Sequence, residues 1–154
     1  CAGDRHGRQH DRATFDAVNP QGNAMAVQLD HFIVPSRNRV AAAKLLGTLL
    51  GVAWAESRVG PFSPVYVNDG VRLDFDQADG AFPISHYAFR VGQDEFDAIL
   101  GRIKAAGIQF RSTPQGPVDL RVNTDHGGSI VYWNEPDGHY WEILTVSYAR
   151  QPAG

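Results

Sequence analysis

The chain has 154 residues, 43% of them hydrophobic and 20% charged, with a formal net charge of −3. Those values describe one ordinary globular domain and exclude a basic footprint for nucleic acid or an anionic membrane. No apolar run approaches the ~20 residues of a spanning helix, and a single cysteine, Cys1, excludes a disulfide framework or a thiolate zinc site. The expected partner is a small molecule and the expected location cytoplasmic.

Residues 1–24 are rich in Asp, Arg, Gln, Asn and Gly, with Phe15 and Val18 as their only large apolar side chains. They read as a polar N-terminal tail or an added remnant, whose His6 and His10 are solvated. Met25 directly precedes the first strand-like run, and residues 25–150 read as one domain. In 27–34, Leu29, His31 and Ile33 point one way and Asp30, Phe32 and Val34 the other, the period of a strand. Pro35 closes it, and Ser36 is the expected N-cap of a helix over 40–50. Val40, Ala43, Leu46, Leu49 and Leu50 form its apolar face, and Gly51 its stop. Strands are expected at 52–58, 65–68 and 71–76, with Asn68-Asp69-Gly70 as a tight hairpin turn.

The second half repeats this order. A strand over 84–91 precedes a helix over 93–106, with Phe96, Ile99, Leu100 and Ile103 on one face and Gly107 at its end. Strands follow at 108–111, 120–123, 129–134 and 139–147. The copies can be aligned by residue. Val65-Tyr66-Val67-Asn68 matches Val131-Tyr132-Trp133-Asn134, and Leu29-Asp30-His31-Phe32 matches Ile84-Ser85-His86-Tyr87. Each hairpin glycine, Gly70 and Gly138, is followed four residues later by a carboxylate, Asp74 and Glu142. The second turn is longer by an inserted Glu135-Pro136. Such repetition fixes the architecture first: an α+β domain of two βαβββ modules, about 27–77 and 84–148. Parity puts Arg72, Asp74 and Asp76 on one face of their strand, and Tyr140, Glu142 and Leu144 on one face of theirs. The alternate apolar sets can lie beneath the helices, leaving the carboxylates on the concave side.

The segments Leu29-Asp30-His31, His86-Tyr87-Ala88-Phe89-Arg90-Val91 and Gly128 through Leu144, with its Glu-Pro-Asp-Gly-His-Tyr-Trp-Glu, resemble the vicinal oxygen chelate superfamily of glyoxalase, bleomycin-resistance and extradiol-dioxygenase proteins. The resemblance spans 27–148. It implies paired βαβββ modules forming a cupped mixed β-sheet, with one divalent metal ion per site (Zn, Ni, Fe, Mn or Co). It places metal ligands at His31, His86 and Glu142, and a fourth position at Asp74, where relatives carry Glu or Gln. Direct ligation by Asp74, contact through water and mere approach to the cavity stay open. Two imidazoles and one carboxylate are a donor set that suits these metals.

The leading expectation is a metal enzyme that chelates two neighbouring substrate oxygens, with glyoxalase-like lyase or isomerase chemistry and Glu142, helped by Asp74, as general base. The alternatives are a ring-cleaving dioxygenase using Fe(II) or Mn, and a non-catalytic drug- or antibiotic-binding protein. Arg90 shares parity with His86 and could orient an anionic substrate. Trp54, Tyr66, Tyr132 and Tyr140 could wall the pocket or simply pack. His126 reads as a surface-loop residue and His139 as a residue of the strand entrance. The resemblance also implies a homodimer.

Overall fold

The computed structural model describes residues 27–58 and 60–148. The polar segment 1–24, with His6 and His10, and Met25 lie outside them. Among the described residues, strand β1 (His31–Ser36) and helix α1 (Arg39–Leu50) precede β2 (Ser63–Asn68) and β3 (Val71–Gln77). Strand β4 (His86–Arg90), helix α2 (Gln93–Ala105), β5 (Phe110–Arg111), β6 (Ile130–Asn134) and β7 (Tyr140–Leu144) complete the second module.

The first sheet runs β1-β3-β2 and the second β4-β7-β6-β5. In each, the opening strand lies parallel to the closing one, β1 against β3 and β4 against β7. Their registers agree with the sequence repeat. His31 faces Arg72, two residues before Asp74, and His86 faces Tyr140, two residues before Glu142. The paired βαβββ modules of an α+β fold are thus present, but the cupped sheet comes in two pieces within one chain. The outer edges of β1 and β4 pair with nothing among the described residues.

Local details depart from the sequence reading for identifiable reasons. Helix α1 is capped by Asn38, whose side-chain oxygen accepts from the Ala41 N–H at 3.1 Å. Ser36, the expected cap, sits two residues earlier; its hydroxyl accepts from the Asn38 N–H and donates to Asp137 Oδ2 at 2.6 Å. The strand expected at 52–58 contracts to one bridge, Trp54 with Val65. That expected at 120–123 contracts to Asn123 with Ile130. Gly51 ends α1 at φ 71°, a conformation a side chain would resist.

One apolar core joins the modules. Val34, Leu46, Phe75, Phe96, Trp133 and Trp141 are all buried within it. Trp141 stacks on Tyr87 and Phe89, with ring centroids 4.7 and 5.9 Å away, and approaches Phe75 across the module boundary at 6.3 Å. The turn between β6 and β7 fastens the halves together. Asp137 accepts from the Ser36 hydroxyl and from the Arg37 N–H at 2.9 Å. His139, wholly buried, accepts from the Ser85 N–H at Nδ1 (3.1 Å) and therefore donates from Nε2 to the Pro35 carbonyl at 2.9 Å. At the entrance to β7, where the sequence places it, His139 also links the two modules.

Candidate active site

The site lies on the face of the second sheet turned away from the core. Along β7, Trp141 and Ile143 belong to the core, so Glu142 must point the other way. Along β6, Val131 and Trp133 face the core and Ile130 and Tyr132 share the side of Glu142, as their pairing Tyr132↔Glu142 requires. From β4, His86 brings Nε2 to 2.9 Å from Glu142 Oε2. His86 is 43% exposed and Glu142 0% exposed, so a sunken carboxylate meets an imidazole open to solvent. The rings of Tyr132 and Tyr140 flank His86 at 6.1 and 6.4 Å.

Tyr148, past the end of β7, turns its hydroxyl back onto Glu142, 3.0 Å from Oε1 and 3.1 Å from Oε2. Burial, followed by the charge of Glu142, pushes the Tyr132 phenol far above its ordinary value. Burial and the hydrogen bond to Glu142 raise that of Tyr148. Both stay protonated and present hydroxyls to the carboxylate. Arg111, itself buried, lies over the Tyr140 ring at 5.4 Å. It donates to the Pro114 carbonyl and to Asn134 Oδ1, bracing that wall.

The first module carries the matching but different face. Asp74, 1% exposed, accepts from Arg72 Nε through both oxygens, at 3.0 and 3.1 Å. His31 is 44% exposed, with Nδ1 2.5 Å from Asp30 Oδ2. The His31 hydrogen bond holds the Asp30 carboxyl below the ordinary carboxylate value. The structure thus unites His86 with Glu142 and does not bring His31 or Asp74 to them. Among the described residues, no three His, Cys, Asp or Glu side chains stand close enough to hold one ion.

Of the other singled-out residues, Arg90 is exposed on the parity of His86. Trp54 lies elsewhere, against Gly47 of α1 on the core side. His126 stands beside Tyr148, with ring centroids 6.2 Å apart. Tyr148 and Arg111 were not singled out in the sequence. Tyr148 is six residues from Glu142, which is same-face parity, and that was its one signal. A cleft of about 400 Å³ adjoins the site, lined by Leu29, Phe32 and Leu73 on one side and His86, Tyr87 and Phe89 on the other.

No protein-family model and no curated protein sequence matches the chain. Among solved structures, the oxidase ChaP-H1 is 44% identical, with a TM-score of 0.76, over 81% of this chain and 100% of that one. The oxidase ChaP-H2 is 40% identical, also at 0.76, over 80% and 97%. A glyoxalase/dioxygenase from Nostoc punctiforme is 22% identical with a TM-score of 0.58, over 85% and 97%, a likeness of fold.

The chain belongs to the vicinal oxygen chelate superfamily.

Members of the superfamily usually bind a divalent metal. In this member the donor chemistry fits such an ion at the His86–Glu142 pair, an imidazole nitrogen and a carboxylate oxygen already converged on one point. No helix among the described residues is long and apolar enough to cross a membrane.

Proposed function

We propose that the protein is a divalent-metal enzyme that takes a small substrate by two neighbouring oxygens. Each site is shared by two copies of the chain, with His86 and Glu142 from one and His31 from the other. The single observation that carries this is the His86–Glu142 contact at 2.9 Å, a buried carboxylate joined to an open imidazole. Glu142 is wholly buried, and its partners among the described residues are His86 and tyrosine hydroxyls, with no Lys or Arg among them. Burying a carboxylate without a countercharge is costly, and a cation at that point would offset the cost.

Three observations support the shared arrangement. His31 is exposed and apart from the pair within one chain. The outer edges of β1 and β4 are unpaired, and an open edge is rarely left uncovered. Leu29 and Ile33, before and within β1, and Ile84, just before β4, are 55, 45 and 48% exposed. A homodimer joined there would cover both.

A divalent ion held by these residues would supply Lewis-acid polarisation of the substrate oxygens and, as Fe(II), a means of using dioxygen. Glu142 is the group placed to hold the substrate's proton, with Tyr132 and Tyr148 keeping its oxygens hydrogen-bonded. Tyr132 and Tyr140 form the aromatic floor beneath His86, and Arg90 offers a cation to an anionic substituent. Asp74, held by Arg72, acts at a distance as a supporting carboxylate. ChaP-H1 and ChaP-H2 are named oxidases, which supports an oxygen-consuming reaction over glyoxalase-like isomerase or lyase chemistry on the same residues.

The test is metal analysis of protein purified without a metal-affinity step, followed by complementation. His31→Ala and His86→Ala should each abolish stoichiometric metal. Co-expressed, the two variants should recover about a quarter of the wild-type sites, because random pairing makes half the dimers mixed and each mixed dimer keeps one intact site. No recovery would sink the shared site. Wild-type protein that takes up no metal would sink the enzyme reading and leave a binding protein that uses the aromatic cleft. Oxygen uptake with an ortho-dihydroxyaromatic separates oxidase from isomerase chemistry.

A further inference from the structure

Beyond the metal donors, one residue reaches Glu142 by an unusual route. Strand β7 ends at Leu144, and residues 145–148 form a strap along the loop that precedes β6. The Thr145 N–H donates to the Ser129 carbonyl at 3.0 Å, and the Ser129 N–H returns a bond to Thr145 Oγ1 at 2.9 Å. The strap passes so close to Gly128 that a Cβ there would lie 2.5 Å from Val146 Cγ2 and 2.7 Å from Thr145 Oγ1. Any side chain at 128 would push the strap away. Its end carries Tyr148, 52% exposed, so burial alone does not fix the ring. The ring is held by its hydroxyl on Glu142 and by the neighbouring ring of His126.

We propose that Tyr148 is a positioning residue for Glu142 and that the 145–148 strap, seated on Gly128, is the device that delivers it. The inference rests on the metal site put forward above and assigns it a supporting group. A carboxylate free to rotate can offer a cation one oxygen, two or none. The Tyr148 hydroxyl lies between the two carboxylate oxygens, 3.0 Å from Oε1 and 3.1 Å from Oε2, and so restrains the carboxylate's rotation while Oε2 meets the imidazole of His86. Such outer partners of metal ligands matter: their loss typically weakens metal affinity about 10- to 100-fold. Removing the hydroxyl leaves the half-exposed ring in place and touches, besides Glu142, only the neighbouring phenol of Tyr132 among the groups described.

The test uses Co(II) as the probe, added to metal-free full-length protein, with affinity and the visible absorption band as readouts and the melting temperature of the metal-free protein as control. Tyr148→Phe should melt as wild type yet bind Co(II) about 10- to 100-fold more weakly, with an altered band. Gly128→Val, which lifts the strap while leaving the tyrosine in the sequence, should weaken Co(II) binding comparably. The double variant should be no weaker than either single one, since both remove one interaction. Unchanged affinity in Tyr148→Phe, beside a His86→Ala that has lost the ion, would overturn the strap's role alone. Wild-type protein that binds no Co(II) would overturn the metal site and the strap's role with it.

Discussion

Glu135 is the point at which a single isosteric change should be most visible, and its effect has a definite sign. Its side chain is 8% exposed, and the nearby Asp137 and His139 N–H groups are too poorly aligned to complete a hydrogen bond to either carboxyl oxygen. Around it lies a small void lined by Ala42, Leu46, Phe75, Trp133 and Trp141. The indole N–H groups of both tryptophans are unpartnered as well. Burial, then repulsion from Asp137, lifts the carboxyl from 4.5 to about 7, although the Asp137 and His139 N–H groups pull the other way. The folded protein therefore keeps this proton up to about pH 7, whereas the unfolded chain releases it near 4.5. Between those values the unfolded state binds fewer protons, so stability falls as pH rises, and the whole cost is in place above pH 7. At about 1.4 kcal/mol per pH unit the cost approaches roughly 3 kcal/mol, an upper bound because a water entering the void would relieve part of it.

Glu135→Gln keeps the shape and removes the charge. It should stabilise the metal-free protein by about 2–3 kcal/mol at pH 8 and leave it nearly unchanged at pH 4.5. Urea unfolding of both proteins at pH 4.5, 6 and 8 reads this directly. Other titrating groups cancel in the difference, and equal urea slopes confirm that the same transition is compared. At pH 8 the gain corresponds to a rise in melting temperature of about 5–10 °C. A difference that does not vary with pH, or a glutamine variant less stable at pH 8, would refute the reasoning.

Two further changes test the packing. Gly47→Ala should destabilise the protein by about 1–2 kcal/mol, although alanine is the better helix former by roughly 1 kcal/mol. The new Cβ would lie 2.8 Å from Trp54 Cδ1 and 3.0 Å from two further atoms of that side chain; a higher melting temperature would contradict this. His139→Ala should cost about 3 kcal/mol or more in chemical denaturation, because it opens a cavity and strands the Ser85 N–H and the Pro35 carbonyl. A loss under 1 kcal/mol would show that His139 does not fasten the modules.

The parts of the fold that were legible follow a strict period. The buried face of α2, at Phe96, Ile99, Leu100 and Ile103, is the helical stripe of the sequence, and the opposed directions of Glu142 and Trp141 are the strand alternation. Hidden features depend on partners far along the chain. Ser36 and Asn38 both qualify as caps by residue type; a hydroxyl claimed by Asp137, 101 residues away, decides between them. The pairing of His86 with Glu142 is legible through the family resemblance and strand parity, and the structure adds the parallel register of β4 and β7 that brings them together. The separation of His31 is not, because the relative placement of two modules appears in neither repeat. Asp74 is legible as a carboxylate on the right face, but its engagement by Arg72, two residues away on the same strand, is not, because strand parity places the two side chains on one face without saying that they touch.

The longer turn between β6 and β7 has a consequence for how a duplicated protein chooses one arrangement. Two identical halves joined end to end could dock in either of two equivalent senses, with no energetic preference between them. Lengthening one loop by Glu135-Pro136 lifts that degeneracy, since only this loop reaches across to Ser36 and Arg37. The halves differ at their sites as well: one holds an open imidazole–carboxylate pair and the other closes its carboxylate with an arginine.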